Sequence, residues 1–137
     1  MSAFHLFHAC GVILFTVFAY LQFNDASQYS NHDAWVWIAL YGTAAFLNLL
    51  SLLTTVSKNV HYLWLGFTAG ALLFRMQDDR GNLHLDWIDP SRYWNEAGNQ
   101  MVQQTNESGG LVILLIWALV QLIIVSNRQS KLPPYSY

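Results

Sequence analysis

Charged residues are scarce in this 137-residue chain. Asp, Glu, Lys and Arg together make up 10% of the sequence, whereas hydrophobic residues make up 54%. A soluble domain usually carries about 25% charged residues, so this sequence has too few charges to cover an ordinary water-exposed surface. The shortage argues against a soluble globular domain and indicates that lipid covers part of the surface.

Cysteine and basic charge are scarce as well. The single cysteine, Cys10, excludes an internal disulfide framework and a cysteine-based zinc cage. The formal net charge is −2 and the pI is near 6.1, so the sequence lacks the basic character that nucleic-acid binding requires. We therefore predict no nucleic-acid partner.

Long apolar runs occupy most of the remaining sequence. About 20 apolar residues cross the hydrocarbon core of a bilayer as a helix. Four segments approach this length, at residues 4–23, 35–55, 60–76 and 109–125. These segments should be helices, because lipid offers no hydrogen-bond partners to free backbone amides and no strand alternation is present. The sequence predicts an all-α integral membrane protein, in which four transmembrane helices form a single up-down bundle over residues 1–137.

The connections between the predicted spans differ in length. Residues 56–59 alone join the second and third spans, which should be antiparallel neighbours. Residues 77–108 form a long extramembrane loop, in which Asp89 followed by Pro90 is typical of a helix start. We expect this loop to hold a short amphipathic helix at the membrane interface, the alternative being an irregular aromatic loop. Residues 126–137 form a C-terminal tail.

The charges also predict an orientation. With four spans, both termini and the short second connection share one side, which contains Lys58, Arg128 and Lys131 but no acid. All eight acidic residues lie on the other side, together with three arginines. The positive-inside rule counts Lys and Arg in short loops, so it favours cytoplasmic termini. The acidic loops would then face the periplasm or a lumen.

Three short motifs flank the predicted spans. They are, in chain order, Gln22 with Asn24 and Asp25, then Trp35 or Trp37 with Tyr41, then Glu107 with Gly110 and Leu111. In this order the motifs resemble those of the transmembrane protein 220 family, and the resemblance covers most of the chain. It implies a small four-span membrane protein and no particular activity. The chain departs from the family pattern after Asp25 and at Asn106, which weakens a metal site built from several carboxylates.

Polar residues at one rim of the predicted bundle form a candidate ligand site. Asp25 ends the first span and Glu107 begins the fourth, so both carboxylates should lie at similar depth on the acidic side. With Gln22 and Asn24, they could bind a cation or a polar head group. In the alternative, which we favour, these side chains satisfy open backbone groups at the helix ends, because charge costs less at the interface than at the midplane.

Histidines are the candidate metal ligands. His5 and His8 stand at i and i+3 on the first span, a spacing that can bind a metal from one face, and His61 starts the third span on the same side. Zinc or copper needs three or four ligands and second-shell partners, and no nearby acid or second cysteine completes the set. We predict no metal and no other cofactor, and interpret these residues as interfacial histidines.

Two features of the third span indicate how it packs. Gly66 and Gly70 stand at i and i+4, a pair that lets two helices approach closely, either within the bundle or against a partner. Arg75 at the end of the span should reach water and form an exposed ion pair with Asp78 or Asp79.

These observations favour a protein that works by association. No phosphate loop, nucleotide fingerprint or Ser/His/Asp set is present, so we predict no enzymatic activity. We expect an accessory or structural subunit that packs against a larger membrane protein complex, with lipid and other membrane subunits, or a second copy, as partners. The alternative is a protein that binds or transports an ion or small polar ligand through Asp25 and Glu107.

Overall fold

The structure, a computed structural model, is helical throughout most of its described residues. These are residues 2–28, 34–77, 80–83, 91, 93–94 and 103–130, with the backbone alone described for residues 24–28 and 103–105. The helices are α1 Ala3–Gln28, α2 Ala34–Leu53, α3 Lys58–Arg75 and α4 Gln103–Gln129. Within the described ranges there is no strand, and Gln77 and Leu83 form an isolated antiparallel bridge. The predicted all-helical fold class is therefore confirmed.

Three of these helices are long and apolar enough to cross a membrane. Their candidate spans are Ala3–Phe23, Ala34–Leu53 and Asn106–Gln129. Helix α3 is not among them, because Lys58 and His61 occupy its first turn and Arg75 ends it, so its uninterrupted apolar part is short. The structure thus supports three of the four predicted spans, and the crossing by α3 stays a prediction.

Helices α1 and α2 belong to one compact unit, Met1–Ser57. Phe23 in α1 packs edge-on against Trp35 at the start of α2, with ring centroids 6.0 Å apart. At the other end of the pair, His8 of α1 contacts Asn48 of α2. These two contacts fix an antiparallel arrangement, in which Tyr41 packs between the two ends.

Helix α1 begins earlier and ends later than its apolar run. Ser2 precedes the helix, and its hydroxyl oxygen accepts a hydrogen bond from the backbone N–H of His5 at 3.4 Å, as an N-cap serine does. The helix continues to Gln28. Asn24 and Asp25 therefore lie inside the last turns of α1 instead of following its end.

Helices α3 and α4 belong to the second unit, Lys58–Tyr137. Arg75 at the end of α3 pairs with Glu107 near the start of α4, so these two helices are also antiparallel. The buried residues of α3 recur every three or four positions, as one helix face requires; they are His61, Trp64, Thr68 and Leu72. Leu111, Leu114 and Ala118 of α4 are buried at the same spacing.

The chain turns tightly after α3. Gly81 has a φ of 81°, a left-handed conformation that glycine adopts without steric cost. This turn brings Gln77 and Leu83 together as a bridge. The predicted interfacial helix of the 77–108 loop and the 131–137 part of the tail lie almost entirely outside the described residues, so both stay predictions.

Candidate functional site

Glu107 is a buried carboxylate with an arginine partner. Its side chain is 7% exposed and forms an ion pair with Nε of Arg75, whose side chain is 37% exposed. A carboxylate removed from water is costly unless it is paired and hydrogen-bonded. The pair therefore explains how Glu107 can stay buried near the end of an apolar helix.

Glu107 lies near the start of α4 but not at its first residue, so the capping role that the sequence favoured stays a prediction. Helix α4 begins at Gln103, so its first four amides belong to residues 103–106 and Glu107 lies in the second turn. Glu107 also makes a tertiary contact with Arg75 of α3.

Arg75 has a partner that the sequence analysis did not name, since the structure pairs it with Glu107. The predicted pair with Asp78 or Asp79 stays a prediction, because both residues lie outside the described part of the chain. The Arg75–Glu107 pair could have been predicted from the antiparallel order of the third and fourth spans, which places the end of the third beside the start of the fourth. The long loop between Arg75 and Glu107 in the sequence made this proximity hard to see.

The other members of the predicted ligand site lie in the other helix pair. Gln22 is half-buried in α1. Asn24 and Asp25 are helical, but their side chains lie outside the described part of the chain. Because Asp25 and Glu107 belong to different compact units, their joint site stays a prediction.

A second polar cluster joins α1 to α2. The Nδ1 atom of His8, a residue with 0% exposure, lies 3.0 Å from Oδ1 of Asn48. The Nδ2 group of Asn48 donates to the carbonyl of Ala44 at 2.8 Å, which identifies Oδ1 as the acceptor. His8 therefore carries a hydrogen on Nδ1. The rings of Phe4 and Phe7 pack edge-on against His8, with centroids 4.4 and 5.2 Å away.

The three candidate metal ligands have different surroundings. His5 is exposed, and its Nδ1 lies 2.6 Å from the hydroxyl of Ser2. His8 is buried against Asn48, and His61 is buried in the other unit. His8 and His61 are buried against protein, at 0% and 1% exposure, and their position at the membrane interface stays a prediction. Among the described residues, no group of three or more His, Cys, Asp or Glu is arranged to hold a metal.

Gly66 and Gly70 lie on the exposed face of α3. A Cβ atom added at either position would meet no atom within 4 Å. The buried face of α3, with Trp64, Thr68 and Leu72, lies on the opposite side of the helix. The α3–α4 pair therefore does not use this glycine pair for its own packing.

Two buried side-chain amides were missed by the sequence analysis. They belong to Asn48 and Gln121, which are 0% and 1% exposed. Each of the two residues stands three or four positions from buried apolar residues of its own helix, α2 or α4, and therefore lies on the buried face of that helix. A helical-face analysis of each span would have found them.

An all-helical chain with three helices apolar enough to cross a bilayer is a membrane protein. The family model described as transmembrane family 220, helix, matches residues 14–123. Since this range is most of the chain, the protein belongs to that family, as the motifs from Gln22 to Glu107 predicted. No curated protein and no solved structure shows significant similarity to the chain.

Proposed function

We propose that this protein is a non-enzymatic membrane subunit that packs against a helix of a larger membrane protein complex. The observation that carries the proposal is the exposed glycine face of α3. Neither the α3–α4 contact nor the local helix structure requires glycine at positions 66 and 70, where added side-chain atoms would meet open space. Glycine in a helix interior costs about 1 kcal/mol relative to alanine, so a packing use outside the pair is its simplest explanation.

The shape of this face fits a partner helix. Leu63, Phe67 and Phe74 are exposed on the same side of α3 as the two glycines. Their large side chains flank the low surface that Gly66 and Gly70 leave. Small residues at such a surface let two backbones approach closely, and this contact is a main source of helix association in lipid.

The composition of α3 supports the same conclusion. Its 18 residues fall at the short end of the range of about 17–25 residues that crosses a bilayer. Its polar content, and not its length, separates it from the other three helices. A helix of this composition is better accommodated when protein covers part of its surface.

Site-directed photo-crosslinking tests the proposal. Photoreactive benzoylphenylalanine replaces Phe67 on the glycine face, and the matched control replaces Phe46 of α2, since both side chains are 56% exposed. We expect Phe67 to yield a crosslink to a partner polypeptide at native abundance and Phe46 to yield none. The same partner should copurify stoichiometrically in a gentle detergent.

Glycine variants identify the contact. Gly66→Leu with Gly70→Leu should abolish the Phe67 crosslink, while Gly42→Leu in α2, where a Cβ also meets open space, should leave it unchanged. Crosslinks from Phe67 that reach only lipid, or only α1 or α2 of the same chain, would contradict the proposal. Turnover of a substrate that requires Glu107 would refute the non-enzymatic part.

The alternative function is binding or transport of an ion or small polar ligand through Asp25 and Glu107. The Arg75–Glu107 ion pair counts against a cation at Glu107, because the guanidinium already compensates that charge. The alternative predicts a purified protein without partners, whose ion binding is lost in both Asp25→Asn and Glu107→Gln. A subunit of the proposed kind keeps its partner in both variants.

A further inference from the structure

The contact between α3 and α4 follows residues that recur at intervals of seven. Six residues show this spacing, three in each helix; they are His61, Thr68 and Arg75 in α3 and Glu107, Leu114 and Gln121 in α4. Seven residues are close to two helical turns, so each set of three lies along one side of its helix. All of them except Arg75 are buried, and this side is therefore the one that each helix buries.

The ion pair at one end of this contact locates the polar residues at the other end. Arg75 lies against Glu107, and the two helices run in opposite directions. Every helical residue advances about 1.5 Å along the axis, so two intervals back along α3 reach the same level as two intervals forward along α4. These positions are His61 and Gln121, each 1% exposed. Two buried polar side chains are therefore opposite each other where α3 begins.

The amide of Gln121 has a buried group that the protein does not satisfy. Its Nε2 group is shielded from solvent and has no hydrogen-bond partner in the described part of the chain. A side-chain amide carries two N–H donors on this nitrogen, and a buried donor without an acceptor is unfavourable. His61 lies in the first turn of α3, within about one turn of the exposed Ser57. A water molecule therefore has a short path to this amide.

We propose that one water molecule is bound between α3 and α4 at the level of His61 and Gln121. It accepts a hydrogen bond from Nε2 of Gln121 and donates one to the imidazole of His61, whose neutral ring has one acceptor nitrogen. Buried waters in proteins typically bridge polar groups of this kind. The site is independent of the partner proposed for the glycine face, since it lies on the opposite side of α3.

The bound water gives the α3–α4 pair a second polar contact, which fixes how the two helices align. A shift of one seven-residue interval in either direction would place Leu114 opposite Arg75 or opposite His61. Either alignment leaves a buried polar group against an apolar side chain, which is costly. Buried polar residues specify the register of packed helices in this way.

The nuclear Overhauser effect between amide hydrogens and water tests the site in the full chain, isotope-labelled and held in detergent micelles. We expect an effect between water and the Nε2 hydrogens of Gln121, whose signals are identified by their loss in Gln121→Met. The matched control is Asn48, which is 0% exposed and whose Nδ2 group donates to the carbonyl of Ala44 at 2.8 Å; it should show no effect. His61→Phe removes the second partner of the water and should abolish the effect at Gln121.

Thermal unfolding distinguishes a satisfied amide from an unsatisfied one. Gln121→Met removes the donor at nearly constant volume and should lower the melting temperature more than Leu114→Met, the control on the same side of α4. A melting temperature for Gln121→Met no lower than that of Leu114→Met would overturn the proposal, because removing a satisfied amide has to cost stability.

Three water measurements would overturn it as well. They are no effect at Gln121, an equal effect at Asn48, which would show water throughout the core, and an effect at Gln121 that persists in His61→Phe. Circular dichroism checks the helix content of each variant. If His61→Phe loses its helices, the comparison of Gln121 with Asn48 in the unmodified protein decides the outcome.

Discussion

At the scale of single residues, two buried polar contacts hold helices together in pairs. His8 and Asn48 join α1 to α2, and Arg75 and Glu107 join α3 to α4. The partners of each contact are far apart in sequence, so neither contact belongs to local helix structure. Removing one partner of a buried contact costs more than the contact itself is worth, because the other partner is left unsatisfied.

The His8–Asn48 contact should show this asymmetry. Asn48→Ala removes the acceptor for the Nδ1 hydrogen of His8 and should lower the free energy of unfolding by about 1–2 kcal/mol. Ser51→Ala, one turn further along α2, is the control, because Ser51 only donates to the carbonyl of Leu47 in its own helix. Thermal unfolding in detergent, followed by circular dichroism, compares the two variants.

A double variant separates two contributions to the loss of stability: the cost of leaving one buried partner without a hydrogen bond, and the loss of the hydrogen bond itself. His8→Phe combined with Asn48→Leu replaces both partners by apolar groups and should be less destabilised than Asn48→Leu alone. If Asn48→Ala proves no less stable than Ser51→Ala, the hydrogen bond to His8 contributes nothing measurable. In that case the buried histidine is stabilised by its aromatic neighbours alone.

At the scale of the helices, apolar runs and helix ends do not coincide. The first predicted span, 4–23, became α1 Ala3–Gln28, and the last, 109–125, became α4 Gln103–Gln129. Backbone hydrogen bonding continues through polar residues in the same way as through apolar ones. Hydropathy therefore marks where a helix meets lipid, whereas capping and chain direction decide where it ends.

Helix α3 should cross the bilayer, and cysteine labelling tests this crossing. In a Cys10→Ser background, Ser57→Cys and Gln77→Cys place single thiols at exposed positions just before and just after α3. A maleimide that cannot pass the membrane should label one in right-side-out vesicles and the other in inverted vesicles. The reason is that α3 is long enough to cross and its charged residues lie at its two ends. Labelling of both thiols from the same side would show that α3 lies on the membrane.

At the scale of the whole molecule, the chain consists of two antiparallel helix pairs, Met1–Ser57 and Lys58–Tyr137. Each pair has its own buried apolar face and its own buried polar contact. An even number of crossings follows if α3 spans, and both termini then share one side of the membrane. The arrangement of all four helices as a single bundle stays a prediction from the sequence.

Reporter fusions test the orientation. Reporters fused at the N-terminus and at the C-terminus should both be active in the cytoplasm, because the short segments with Lys58 and Arg128 fall on that side. A reporter inserted at Gly81, in the exposed turn after α3, should be active on the opposite side. Termini on opposite sides would indicate three crossings, and all positions reversed would mean that the arginines of the acidic side determine orientation.

The sequence by itself was enough to predict that this protein lies in a membrane, that it is helical, and to which family it belongs. Those conclusions depend on composition and on short ordered motifs, which are properties of the chain read in one dimension. The tertiary structure decided which polar residues are buried and what they contact. It pairs Arg75 with Glu107 and His8 with Asn48, and it leaves Gly66 and Gly70 exposed. The reason is that burial depends on which face of each helix meets its neighbour, and that choice is made only when two helices pack together.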